Sequence, residues 1–432
     1  MFKRALTVVL ALLVLAVIGG YALSYRAAIA PIEPASAANF PQELVDQGAK
    51  LAGAGNCASC HTRNPQQPFA GGVAFATKFG TIYSTNITPD PGTGIGAWPL
   101  TAFSRALRQG VARDGSQLFP VFPFDHFTKV SDGDVRALYA FFMTRRPVAR
   151  PPERNTLPFP LNVRALQAGW KLLFFHAGEY RPNAAKSAAW NRGAYLAESL
   201  AHCSSCHTPR NALGAESAAA AYAGAVIEGW YAPALNAANP APLPWTVEEL
   251  YAYLRTGGTA LHGSAAGSMS DVVHHGLAAL PDADVLAIAT YFADLNESAK
   301  FAGDPQGILA KSLRPPAEDD GASVDPGAHL YLAACASCHY NSGSMPQLLR
   351  PELALNSALW APNADNFIQV VLHGISIPAG LPETMMPGFS TALSDEDIAQ
   401  LAAYLRHTRT PGAAWPELQP EVAALRRAGR GT

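Results

Sequence analysis

Charge is scarce in this 432-residue sequence, and sulfur is scarcer. Charged side chains make up 15% of the chain, and 31 Lys and Arg against 33 Asp and Glu leave a net charge of −2. A chain so balanced lacks the basic surface that nucleic acid demands, and no basic stretch interleaved with aromatics supplies one locally. Nothing resembles a dinucleotide fingerprint, a P-loop, a nucleophile elbow or an H-E-x-x-H helix, which excludes the catalytic domains those strings announce. Cysteine and methionine number six each. The cysteines all fall in one repeated pattern, so none remains for a disulfide framework.

That pattern is Cys57-Ala58-Ser59-Cys60-His61, Cys203-Ser204-Ser205-Cys206-His207 and Cys335-Ala336-Ser337-Cys338-His339. C-x-x-C-H is the attachment site of a c-type haem: two thiols become thioethers to the porphyrin vinyl groups, and the histidine ligates the iron. The short turn places both sulfurs and the imidazole on one side of the macrocycle. A lone copy also fits half a zinc site or a redox C-x-x-C. Zinc, however, wants its thiol pairs close in sequence, and these lie far apart. Three copies predict three covalently bound haem c groups, with His61, His207 and His339 as proximal ligands.

At this length about three domains are expected. An apolar fraction of 49% with abundant glycine and proline suits small helical domains wrapped around a cofactor. The N-terminus reads Met1-Phe2-Lys3-Arg4, then a nearly unbroken apolar run from Ala5 to Leu23. At about 1.5 Å per residue that run is roughly 28 Å long, close to the bilayer core. A cleaved signal has a shorter apolar core with a small-residue site directly after it. Here Ser24-Tyr25-Arg26 follows, and Ala35-Ser36-Ala37 comes only later. Residues 1–30 therefore read as an uncleaved membrane anchor in preference to a signal. Lys3 and Arg4 keep the N-terminus cytoplasmic, so the haem domains face the periplasm, where haem is attached.

Each haem motif is followed by an acidic, amphipathic closing helix, starting near Ser131-Asp132, Pro281-Asp282 and Ser394-Asp395. Acidic first turns complement the helix dipole, and Ser131 and Ser394 suit the N-cap. Val135/Leu138/Phe141, Val285/Ile288/Tyr291 and Ile398/Leu401/Tyr404 form matching apolar stripes. A helix before each motif carries Gly48, Gly193 or Gly327, placed to let the first and last helices cross closely. Pro-rich segments, Arg146 to Pro160 and Asp304 to Pro326, read as semi-rigid linkers. Trp170-Lys171-Leu172-Leu173-Phe174-Phe175 is too short to span a membrane and reads as a helix packed between domains. The expected fold is all-α: three tandem class I cytochrome c domains at 38–150, 186–298 and 322–412 after the anchor.

The sixth iron ligand of such a domain comes from a loop ahead of the last helix. The second domain offers Met269. The third offers Met386, directly before Pro387, with Met385 in reserve; Met345 reads as plain loop. The first domain has no methionine there. Its loop runs Phe119-Pro120-Val121-Phe122-Pro123-Phe124-Asp125-His126-Phe127, which makes His126 the leading candidate, with a vacant position, Lys129 and Met143 as alternatives.

These motifs resemble the triple-haem cytochrome c subunits of membrane-bound periplasmic dehydrogenases. The likeness covers about residues 40 to 410 and rests on long strings. Gly80-Thr81-Ile82-Tyr83-Ser84-Thr85-Asn86-Ile87-Thr88-Pro89-Asp90 resembles the family's first-domain loop. Asn191-Arg192-Gly193-Ala194-Tyr195-Leu196, His202-Cys203 with Cys206-His207-Thr208-Pro209-Arg210, and Gly229-Trp230-Tyr231-Ala232-Pro233 resemble its second. One departure stands out: members joined to alcohol dehydrogenases typically carry methionine where Phe122 stands. The variant here looks more like cytochromes paired with molybdenum hydroxylases of aldehydes or N-heterocycles.

The resemblance implies an electron-transfer subunit that is not itself the site of substrate oxidation. Its partner would be a catalytic dehydrogenase subunit, quinoprotein, flavoprotein or molybdoprotein. The acceptor would be ubiquinone or a terminal oxidase, and no nucleic acid is involved. Ligand difference predicts that the first haem has the lowest potential. A rival reading is a peroxidase-like haem enzyme with an open first-domain iron and His126 or Asp125 as acid–base group. A freestanding soluble carrier sits poorly with the anchor.

Overall fold

Three glycines decide how the helices meet. In each repeat the helix before the haem motif crosses the closing helix: Gln42–Ala54 over Asp132–Met143, Ala188–Glu198 over Asp282–Leu295, and Pro326–Ala334 over Asp395–Arg409. A Cβ on Gly48 would stand 2.0 Å from the Ala137 carbonyl oxygen; on Gly193, 1.9 Å from that of Ala287; on Gly327, 2.5 Å from that of Gln400. Ala137, Ala287 and Gln400 hold one register, two places past Val135, Val285 and Ile398. Only glycine allows the backbones this close, so the sequence-level pairing of helix glycine with closing helix holds in all three repeats.

This computed structural model describes residues 24–313, 325–339, 351–376 and 385–429, with a few isolated positions before residue 24. The chain divides into two compact units, Met1–Lys186 with Tyr195–His202, and Ser187–Ala194 with Cys203–Thr432. Among the described residues no helix is long and apolar enough to cross a membrane. The Ala5–Leu23 run lies almost wholly outside them, as does Met345.

Closing helices start where the sequence places them. The Ser131 hydroxyl accepts from Asp134 N at 3.2 Å, and Ser394 forms a reciprocal capping box with Asp397. Their apolar stripes are buried: Val135, Leu138, Val285, Ile288, Ile398 and Leu401 are each at most 2% exposed. An arginine pins each first turn. Arg108 bonds Asp132 and the Val130 carbonyl, and Arg255 bonds Asp282 and the Leu280 carbonyl. In the third repeat Arg426 bonds Asp395 and the Leu393 carbonyl.

The chain is not purely helical. Among the described residues four two-stranded antiparallel sheets interrupt it, two of them following haem motifs: Ala74–Thr77 with Gly80–Tyr83, and Ala225–Ile227 with Trp230–Ala232. Nor are the Pro-rich segments free spacers. Thr156 exchanges hydrogen bonds with Thr81, and Asn155 Oδ1 accepts from Tyr83 N at 2.9 Å, strapping the first segment along its hairpin. The second contains a helix, Pro305–Ser312, capped by Asp304. Within the second unit the repeats are tied as well: the Asn366 amide bonds both the N–H and the carbonyl of Tyr231, each at 2.8 Å.

Candidate functional site

Each haem motif folds into a single helical turn: Cys57–His61, Ser204–His207 and Ala336–His339. The turn holds the histidine and its cysteine pair within five consecutive residues, and in every copy the imidazole makes the same contact. His61 Nδ1 lies 2.7 Å from the Thr85 carbonyl oxygen, His207 Nδ1 2.6 Å from that of Pro233, and His339 Nδ1 3.4 Å from that of Pro351. A carbonyl can only accept, so Nδ1 carries the proton and Nε2 keeps its lone pair. A carbonyl behind the ring thus prepares each histidine for iron.

Electrostatics favour the same state. Burial holds the His61, His207 and His339 imidazoles below the usual histidine range, against the opposing pull of those carbonyls. The rings are therefore neutral and able to ligate. Burial likewise pushes the thiols of Cys57 and Cys203 up to about 12, and those of Cys206 and Cys335 up to about 11. Each thiol pair is followed directly by its own imidazole, the arrangement that thioether attachment of a porphyrin through its vinyl groups requires. The donor set fits haem c.

The carbonyls are delivered by a repeated local device. Gly71 N donates to the His61 carbonyl at 2.7 Å, and Gly224 N to that of His207 at 2.9 Å. Thr62 and Thr208, each following its histidine, accept from Phe69 N and Tyr222 N at 3.0 and 2.9 Å. Both Phe69 and Tyr222 take positive φ, at 64° and 58°. This tight reversal starts the hairpin that returns Thr85 or Pro233 to the imidazole. Sequence reasoning missed these partners because any residue owns a carbonyl; only the strings around them stood out.

The candidate sixth ligands lie in loops ahead of the closing helices. Met386 ends the pairing of Met385–Met386 with Ile375–Ser376, and it packs partly buried against the same core as Cys335. Met269 lies partly buried in the turn Ser268–Asp271. In the first repeat Leu118 N donates to the Gly110 carbonyl at 2.8 Å, as Ala265 N does to that of Gly257 at 2.7 Å. Counting on from those bonds, Phe122 stands where Met269 stands. His126 lies in the next turn, Phe124–Phe127, 7% exposed, with Nδ1 3.2 Å from the Glu198 carbonyl oxygen. Lys129 pairs with Glu198 at 2.9 Å, and Met143 is buried in the last turn of the closing helix.

Known proteins resemble this chain in sequence. The family described as cytochrome c oxidase, cbb3-type, subunit III matches residues 322–405. The chain is 45% identical to a nicotinate dehydrogenase subunit of Pseudomonas putida over 94% of its own length but 34% of that relative's, so it spans about a third of it. It is 39% identical to the fructose dehydrogenase cytochrome subunit of Gluconobacter japonicus, covering 87% of this chain and 81% of that one. With the gluconate 2-dehydrogenase cytochrome c subunit of Pantoea cypripedii it shares 37% identity over 89% and 90% of the two. The chain belongs to the cytochrome c subunits of dehydrogenases.

Proposed function

We propose that this chain is a membrane-anchored, triple-haem electron relay on the periplasmic side of the inner membrane. It has three tandem cytochrome c domains. Cys57 and Cys60, Cys203 and Cys206, and Cys335 and Cys338 hold the porphyrins, with His61, His207 and His339 as proximal ligands. The observation that carries this reading is the threefold histidine–carbonyl bond, since one prepared imidazole per cysteine pair implies one iron per repeat. Bound haem supplies a reversible one-electron couple; the polypeptide sets its ligands, its burial and its spacing.

Met269 and Met386 complete the second and third irons. In the first repeat Phe122 cannot ligate, and His126 takes the role. Its support is its place, in the turn Phe124–Phe127 ahead of the closing helix, with the ring 7% exposed. Histidine in place of methionine lowers a potential, so the first iron is the lowest of the three.

Electrons enter from a catalytic dehydrogenase subunit and leave to ubiquinone or a terminal oxidase. The similarity to a subunit of nicotinate dehydrogenase favours a partner that oxidises an N-heterocycle. Extraction of the native protein in mild detergent tests this. The expected result is a stoichiometric catalytic subunit with its own flavin, quinone cofactor or molybdopterin. A chain that purifies alone contradicts the reading.

A further inference from the structure

Between Glu153 and Glu179 the sequence contains no acidic residue, and its apolar side chains face outward. Phe159 is 81% exposed, Leu172 70%, Leu173 63% and Leu166 50%, with Leu161 and Val163 beside them in the chain. A surface of this kind marks an interaction site.

The two cations between Phe159 and Leu173 point the other way. Lys171 Nζ donates to the carbonyls of Gln109 and Gly110, at 2.6 and 2.7 Å, and to Gln117 Oε1 at 2.7 Å. Arg164 Nη1 donates to the Gln117 carbonyl at 3.1 Å, with its guanidinium over Phe119. Trp170 and Phe175 pack edge-on against Phe124. The helix Gln167–Phe174 is thus fixed to the first repeat by its polar and aromatic side, and it presents Leu172 and Leu173 to the outside. Neither cation is left to repel a hydrocarbon surface.

Where the N-terminal segment arrives identifies the occupant. Gln117, the residue that Lys171 and Arg164 grip, also donates from Nε2 to the Ser24 carbonyl at 2.9 Å. Arg105 holds the Ala27 carbonyl at 2.7 Å, and Ile29 N donates to the Arg113 carbonyl at 2.8 Å. Ser24, the residue that follows the apolar run in the sequence, is therefore tied to the same glutamine that Lys171 and Arg164 grip. Tyr25, next in the chain, is 57% exposed and of a residue type enriched where anchors leave a bilayer.

We infer that Phe159–Leu173 is a second, interfacial membrane contact, its apolar side chains inserted at the lipid surface beside the exit of the anchor. The inference rests on the anchor reading and adds to it. A single apolar span leaves a domain free to swivel. A second contact beside it fixes which face of the first repeat looks at the bilayer. Lipid is favoured over a protein partner because the face is uncharged and adjoins the anchor.

The test places a photocrosslinker in the full chain in native membranes, as Phe159→p-benzoylphenylalanine and, separately, Leu172→p-benzoylphenylalanine. Leu213, 54% exposed, serves as a control position. Haem content and visible spectrum establish that each variant has matured. Illumination is expected to yield lipid adducts at 159 and 172 and none at 213. Adducts to another protein at 159 and 172, or no adduct at either, overturn the inference. Fractionation separates this from the anchor itself: a chain in the membrane without lipid adducts sinks only the interfacial contact, whereas a chain in the soluble fraction sinks both.

Discussion

Arg426 does for Asp395 what Arg108 does for Asp132 and Arg255 for Asp282. Each bonds the first-turn carboxylate of a closing helix and the carbonyl two residues ahead of it. Arg108 and Arg255 come from the helices Leu100–Gln109 and Val247–Thr256. The matching helix of the third repeat ends in His373, and its arginine comes from a further helix, Leu418–Gly429, instead. The Asp395 pair is also less exposed, at 15% and 33% of its two side chains, than the Asp132 pair at 16% and 68%.

Arg426→Ala is therefore expected to cost about 2 kcal/mol, because it leaves a half-buried carboxylate and carbonyl without their donor. Arg108→Ala should cost less, its carboxylate partner already meeting water. Denaturant unfolding followed at the third haem's absorption band measures the difference. Equal effects of the two substitutions would remove the special role of the C-terminal helix.

Gly193→Ala introduces a Cβ 1.9 Å from the Ala287 carbonyl oxygen, and backbone cannot yield as a side chain can. A loss of about 3 kcal/mol or more is expected. Because the two helices enclose the second haem motif, the holo chain should mature with one haem fewer. The haem-to-protein ratio by pyridine haemochrome reads this directly, and an unchanged ratio would show that the crossing tolerates a methyl group.

Asp365 is 6% exposed, and burial, then Glu421, pushes its carboxyl up to about 6. An unfolded aspartate titrates near about 3.9. Between these values the folded chain holds a proton that the unfolded chain has released, so stability falls as pH rises from about 4 to 6. Allowing for solvent screening, the penalty above that window is about 1 kcal/mol. Asp365→Asn should remove it, making the variant more stable than the parent at pH 7.5 and no more stable at pH 4. A pH-independent difference would sink this account.

His126→Ala should open one iron. In the reduced variant, one haem in three is expected to become five-coordinate and high-spin and then to bind carbon monoxide, with the other two unaffected. If the spectrum is unchanged, another group holds the first iron.

Much of this was legible in the sequence, for reasons that are local. A C-x-x-C-H turn, a serine cap and a helix glycine each act within a few residues, so Cys57, Ser131 and Gly193 announce themselves. What stayed hidden is nonlocal and chemically anonymous. Thr85, Pro233 and Pro351 act through backbone carbonyls 24, 26 and 12 residues from their histidines. Asn366 clasps Tyr231 across 135 residues. Arg426 looks like any surface arginine until the closing helix is in place. The hairpins escaped the all-α expectation because three- and four-residue strands leave too short a period to notice.

The most direct test of the central claim is a spectroelectrochemical titration of the purified holo chain. Three one-electron transitions of equal amplitude are expected, one lying well below the other two and absent or shifted in His126→Ala. Fewer than three transitions, or a first-repeat haem titrating as high as its neighbours, would contradict the relay as described.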